Sequence, residues 1–381
     1  LKKAEEFYKK SVASNDVRAN LNYAKLILNK RLPNQEPKVA TNLLKSIAAS
    51  DENNVAHDIN YEARLLLAQC YVKGLGVDQS YLQADVLARK LLNQRAYKTR
   101  AQVVLAEIKL RGIDSNAKNE GLNELITIVT NTANPDAAML LYKVYRKGLY
   151  GYERNIKKAL HYARIAQASG SYKADIALAE MYYDGIGIEQ NFSESARYIK
   201  NAYEKEPFNA EVLYWYGRMY AEGIGVYRND DEGFKYLEQA AKLGHKQADL
   251  QRLFMMSSGR APSGTESDAI KQFKAHADDG NAQAQFKYGT ALLEGIVVAK
   301  DLDGAIKYLS LATTGGETDA YYYLASAYSQ KQDYKNAITC YEKSIENDKK
   351  NAASSYANLG EVYSMQKDTN KAIEALKRLV N

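Results

Sequence analysis

Proline is scarce in this chain, five among 381 residues, and no long Gly/Ser or charged tract interrupts it, so nothing marks a linker. No run approaches the roughly eighteen apolar residues that a membrane-spanning helix requires. There are only two cysteines, Cys70 and Cys340, far apart in the sequence. A disulfide needs Cα atoms within about 7 Å, which argues against a bridge. Both sit at apolar helical positions and read as buried small hydrophobes. Free thiols fit the cytoplasm without excluding the periplasm.

Histidine is equally sparse. His57, His161, His245 and His276 each lack a second His or Cys at i+3 or i+4, so no zinc pair is present. His245 follows Gly244 and is expected to cap carbonyls at a helix end. Gly185-Ile186-Gly187 and its equivalents follow helices rather than strands, which disqualifies them as a dinucleotide loop; phosphate-loop and Gly-x-Ser-x-Gly patterns are absent. Asp230-Asp231 and Asp278-Asp279 are expected to cap the helices that follow them. Asn191-Phe192-Ser193 spells a glycosylation sequon, a triplet common by chance. No catalytic residue, metal or cofactor is implied, and the chain reads as non-enzymatic. The net charge of +6, from 52 basic and 46 acidic residues, is spread along the chain. That is a solvated helix surface rather than the footprint of a nucleic-acid binder.

What the chain does have is tyrosine and a glycine rhythm. Thirty-one tyrosines stand against seven phenylalanines and one tryptophan. Gly74, Gly112, Gly148, Gly185, Gly223, Gly259 and Gly295 recur at intervals of 36 to 38 residues. A period of that length is the mark of a stacked two-helix repeat. In one copy, Ala174, Ala177, Leu178, Met181 and Tyr182 fall at i, i+3, i+4, i+7 and i+8, the apolar stripe of an amphipathic helix. Gly185 then stands where a helix end takes a left-handed residue, and Gly187 permits a tight turn. A second helix opens at Ser195, with Ala196 and Ala202 leaving room for the first. The predicted fold is all-α, a right-handed α-α superhelix in which each repeat buries its apolar face on its neighbours.

Tyr71-Val72-Lys73-Gly74-Leu75-Gly76-Val77, Tyr145-Arg146-Lys147-Gly148 and Tyr220-Ala221-Glu222-Gly223-Ile224-Gly225-Val226 repeat the phrase, and Leu293-Glu294-Gly295-Ile296-Val297-Val298 is a worn version. The second half returns in Lys158-Ala159-Leu160-His161-Tyr162-Ala163 and Gly304-Ala305-Ile306-Lys307-Tyr308-Leu309. These phrases resemble the Sel1-like repeat, a longer relative of the tetratricopeptide repeat. Beyond Asp319 the glycines vanish, and Tyr321, Leu324, Ala325, Tyr328, Ala337 and Tyr341 are similar to a conventional tetratricopeptide repeat; Leu359, Gly360, Tyr363 and Ala372 begin another. The expected division is therefore 1–54, degenerate helical repeats; 55–319, a Sel1-like array; and 320–381, two tetratricopeptide-type repeats, in one continuous solenoid. Residues 1–16 read as the second helix of a unit whose first half is missing, which makes the chain a fragment or processed form. With no signal peptide visible, export is left open.

The resemblance implies a noncatalytic scaffold whose concave groove and loops hold other proteins. Bacterial members commonly organise cell-envelope assemblies, and two units also resemble the phrasing of alginate-secretion outer-membrane lipoproteins. The expected setting is thus periplasmic or outer-membrane-associated, with exopolysaccharide secretion or cell-wall machinery as the pathway and polysaccharide as a further partner. The same repeats serve virulence and host-interaction factors and eukaryotic luminal ubiquitin-ligase adaptors. An RNA-binding helical repeat is a remote alternative, because no regular polar code is present; nucleic acid is not an expected partner. Partner-binding candidates are the turn tyrosines Tyr150 and Tyr152, the helix aromatics Tyr214, Trp215, Tyr321 and Tyr322, and Met255, Met256 and Arg260. The last three are expected in a polar loop where the repeat breaks, with the methionines adaptable at its surface.

Overall fold

The computed structural model describes residues 16–29, 32, 36–50, 56–262, 264–295, 297–347 and 351–380. Among the described residues there are twenty α-helices and one 3-10 turn, and no strand. Of the helix expected over residues 1–16, residues 1–15 lie outside the described residues, and Asp16 caps the helix that starts at Val17. The chain forms two compact units, Leu1–Asp249 and Leu250–Asn381.

In the first unit the helices follow one another as packed pairs: α1 (Val17–Leu28) with α2 (Pro37–Ala49), α3 (His57–Lys73) with α4 (Tyr81–Arg89), and α5 (Lys98–Arg111) with α6 (Ser115–Thr132). Three further pairs are α7 (Pro135–Lys147) with α8 (Ile156–Ala168), α9 (Tyr172–Asp184) with α10 (Phe192–Lys205), and α11 (Ala210–Glu222) with α12 (Asp230–Lys242). The 3-10 turn Leu149–Gly151 links α7 to α8. Helix α13 (Lys246–Ser257) carries the division between the units. The second unit continues with α14 (Glu266–Asp278), α15 (Ala282–Glu294), α16 (Leu302–Thr314), α17 (Ala320–Gln330), α18 (Tyr334–Asn347), α19 (Ala352–Met365) and α20 (Thr369–Val380).

Each pair is built by the same local chemistry. Helix α9 starts at Ser171, whose hydroxyl accepts from the Ala174 N–H, and stops at Gly185 with φ +68. Its apolar stripe packs on Ala196, Ile199 and Ala202 of α10, all buried. Asparagine is the usual opening cap: Asn134, Asn155, Asn191, Asn209, Asn229 and Asn281 each accept a backbone N–H of the helix they precede. The aspartate doublets do not take that role. Asp230 and Asp231 lie inside the first turn of α12, behind Asn229, while Asp278 and Asp279 close α14. The cap is the last non-helical residue before the first turn, and Asn229 already holds that place; where an aspartate stands there, as at Asp114 and Asp301, its carboxylate caps the helix.

The second glycine of the turn fastens one repeat to the one before it. Gly187 has φ +72, and a Cβ there would overlap Cγ2 of Ile156, the first residue of α8. One repeat on, a Cβ at Gly225 would overlap the carbonyl oxygen of Phe192, the first residue of α10. At Gly187 and Gly225 the turn therefore lies too close to the preceding repeat to admit a side chain without a shift.

The tyrosine surplus has a matching repeat logic. Tyr145 stacks on Tyr162 at 5.8 Å, Tyr182 on Tyr198 at 5.6 Å and Tyr220 on Tyr236 at 6.4 Å, the same first-helix to second-helix pairing in three successive repeats. Two buried amides are tied to backbone: Asn60 Nδ2 donates to the Ile47 carbonyl at 2.9 Å, and Gln285 Nε2 to the Ala277 carbonyl at 3.1 Å. Cys70 and Cys340 are buried and unbridged, one in each unit, and burial pushes both thiols up to about 11.

Candidate partner-binding groove

The first helices of the repeats line an open groove of about 800 Å³ in the first unit. Its floor is the face of α7 that carries Met139, Tyr142 and Lys143 and the face of α9 that carries Lys173, Ile176 and Glu180. These residues share a face because they recur at three- and four-residue steps. Leu28 and Asn29 at the end of α1, Lys73 at the end of α3, and Asn209, Glu211 and His245 complete the rim.

The groove is electrically uneven. Among the described residues, no carboxylate lies within ion-pair distance of Lys73, Lys143, Lys147 or Lys173, all exposed. Surrounding protein, together with the ammonium groups of Lys73 and Lys173, holds Lys143 below the usual lysine range. On the neighbouring helix Glu180 is pushed up to about 7 by burial, then by Glu211 and Asp184, against a weaker pull from Arg146 and Lys147. It too lacks an ion-pair partner among the described residues. By contrast, the pocket of about 660 Å³ between α18 and α20 holds cations already paired, Lys371 with Asp368 at 3.5 Å and Arg378 with Glu374 at 2.9 Å.

At the far rim, His245 Nδ1 accepts from the Ala248 N–H at 3.1 Å. It therefore caps the start of α13, not the carbonyls at a helix end. Nε2 then carries the hydrogen and donates to Glu211 Oε2 at 3.1 Å, while the ring stacks on Tyr214 at 4.4 Å. Among the described residues no group of three His, Cys, Asp or Glu side chains is placed to hold a metal, and no helix is long and apolar enough to cross a membrane.

The expected partner-binding residues are scattered. Tyr214 is half-buried beside the groove under His245. Trp215 is buried, donating to Glu211 Oε1 at 3.3 Å and lying under Arg218 at 4.8 Å. Tyr150 and Tyr152 are half-buried in their turn: Arg111 lies over the Tyr150 ring at 5.6 Å, and the Tyr152 hydroxyl donates to Asn119 Oδ1 at 3.0 Å. Met255 and Met256 are a correction. They belong to α13, not to a loop, and are buried at 1% and 5% exposure. The apolar stripe of the helix simply continues through them, so they are core. Arg260 follows that helix half-buried, its N–H donating to the Met255 carbonyl at 2.8 Å. In the second unit, Tyr321 is half-buried under Lys343 at 5.5 Å, and the Tyr322 hydroxyl accepts from Asn358 at 3.3 Å.

Sequence reasoning passed over Lys143 and Glu180, yet a signal was present. Five residues before each repeat glycine stand Glu107, Lys143, Glu180 and Arg218, a charged column in four consecutive repeats. Two of its members are satisfied close by, Glu107 by Arg111 and Arg218 by Glu222, both at 2.8 Å. The other two face the groove without a partner.

Paired helices, glycine caps in the left-handed conformation and a groove on the first helices define a helical-repeat protein of the kind that mediates protein–protein interaction. The Sel1 repeat matches residues 62–93, 135–171, 173–206, 210–245 and 282–317, and the tetratricopeptide repeat matches 317–381. The chain belongs to the Sel1-repeat proteins, with a tetratricopeptide segment following the Sel1 block. Among solved structures it is similar to c5321, a protective antigen present in uropathogenic Escherichia coli strains and displaying this repeat fold. That similarity is 19% identity over 98% of this chain and 78% of the other, with a TM-score of 0.62. A Sel1 repeat protein from Oxalobacter formigenes is 23% identical over 84% of this chain and 90% of its own, with a TM-score of 0.49. The first likeness shows a shared fold. No curated protein sequence matches the chain.

Proposed function

We propose that this protein is a noncatalytic scaffold that holds protein partners of a bacterial cell-envelope assembly, such as exopolysaccharide secretion or cell-wall machinery, on the periplasmic side or at the outer membrane. One observation carries the scaffold reading: a preformed groove on rigid first helices in which cations and a carboxyl stand unpaired. A partner that supplies the missing charges meets a surface that needs no reordering, which favours binding. The envelope setting is supported by the Sel1 repeats, whose bacterial members commonly serve there.

Crosslinking in living cells of the source organism, followed by affinity capture and mass spectrometry, tests both parts. The expected result is recovery of envelope-assembly proteins with the natural chain and their loss with Lys143→Glu/Lys173→Glu. Recovery of cytoplasmic proteins alone overturns the envelope setting. Partners retained in full by the charge-reversed variant overturn the groove as the place where they dock.

A further inference from the structure

The groove is neither a cationic trough nor an apolar slot. Lys73, Lys143, Lys147 and Lys173 line it from three different helices, and the ammonium groups of the other three act on Lys143. Glu180 stands on α9 two turns beyond Lys173, about 10 Å further along the helix axis. Between the charges the floor is apolar, with Met139 and Ile176 buried beneath it.

We infer that the groove seats a protein segment of dipolar charge: a short acidic cluster lying among Lys73, Lys143, Lys147 and Lys173, with a basic side chain placed against Glu180. This rests on the scaffold reading and names the class of partner it takes. Three features favour such a segment over a polyanion. A nucleic acid or polyuronate, charged negatively along its whole length, would bring that charge against Glu180 and Glu211, at a cost in like-charge repulsion. The apolar floor offers nothing to a sugar-phosphate chain but accepts the aliphatic side chains of a peptide. The unpaired state of both signs calls for both signs in return. Glu180, held near neutrality by burial and by its acidic neighbours, gains its full charge when an ammonium or guanidinium arrives. Complementary charge at both ends of the groove also fixes the direction in which the segment lies.

An array of random fifteen-residue peptides, probed with the full chain and read by fluorescence, tests this directly. The expected winners carry two or more Asp or Glu and one Lys or Arg separated from them by several residues. For such a peptide, Lys143→Glu/Lys173→Glu is expected to weaken binding at least about tenfold, and Glu180→Lys to shift preference to peptides without the basic residue. These side chains are exposed or half-exposed, so the circular-dichroism melt of each variant reports whether folding is intact. A uridine 15-mer RNA and an alginate oligomer serve as competitors. If either displaces the peptides equally well and Glu180→Lys strengthens its binding, the groove is a polyanion site and the inference falls. Winners of dipolar charge whose binding ignores both variants leave the scaffold reading standing and overturn this groove as their seat. An array that shows no peptide preference overturns the inference and the scaffold reading together.

Discussion

Asn209 reaches Asn29 across 180 positions of sequence: its Nδ2 donates to the Asn29 carbonyl at 3.3 Å and lies at the same distance from the Tyr172 hydroxyl. Its Oδ1 meanwhile accepts the N–H groups of Glu211 and Val212, capping α11. One amide thus starts a helix and ties the end of α1 to the far side of the groove, because the first unit coils far enough to bring them together.

The two halves of that amide are separable. Asn209→Asp keeps the acceptor and loses the donor, so α11 stays capped while the tie to Asn29 is lost. Amide exchange around residues 26–29 is expected to quicken with little change in overall stability. Asn209→Ala removes both and is expected to lower stability by about 1 kcal/mol or somewhat more, read by denaturant unfolding.

Glu180 reverses the usual behaviour of a folded carboxylate. Its folded pKa of about 7 lies above the ordinary 4.5, so between those values the folded chain holds a proton that the unfolded chain has released. Its contribution is therefore favourable at low pH and is lost as pH rises through 7. Glu180→Gln is expected to flatten the pH dependence of stability across that window and to stabilise the protein above pH 7 by roughly 1–3 kcal/mol, after allowance for solvent in the groove. Thermal melts at pH 5 and pH 8 for both proteins would expose the opposite sign.

Gly187→Ala adds a methyl where the backbone has φ +72 and Ile156 Cγ2 already occupies the space. The left-handed conformation and the overlap together are expected to cost about 2–4 kcal/mol. Combining it with Ile156→Ala removes the overlap and leaves only the backbone term. A double-mutant cycle should therefore show strong positive coupling, and additive losses would count against the repeat-to-repeat contact.

Two worn turns run the experiment in reverse. Where other repeats place their second glycine, Tyr150 has φ +61 and Val297 has φ +71. A β-branched residue there is strained, and Val297 is 38% exposed, so it gains little from burial. Val297→Gly is expected to stabilise by about 0.5–1 kcal/mol. Tyr150→Gly relieves similar strain but forfeits the stack under Arg111, so its gain in melting temperature should be the smaller of the two.

The glycine column was legible because a left-handed cap tolerates few other residues, so the same letter returns wherever the geometry does. It was not uniform: Gly112 ends α5 with φ −64, extended rather than left-handed. The asparagine caps could have been read from their positions before each apolar stripe. The methionines misled because Gly259 to Gly264 looked like a loop, and the helix before it runs through residue 257. Charge in the groove was hardest to see. Lys143 and Glu180 are ordinary helix-surface letters, and only the approach of α3, α7, α9 and α11 shows which charges lack an opposite.

The buried thiols give each unit a built-in reporter. At about 11, Cys70 and Cys340 remain protonated at neutral pH, and the thiolate is the reactive form. An alkylating reagent therefore modifies them only in molecules that have opened, and the two sulfurs lie on opposite sides of residue 249. Peptide mapping of the label over time would read the opening rate of each unit separately in one unaltered chain. Equal rates would mean that the units open as one; unequal rates would show which unit gives way first.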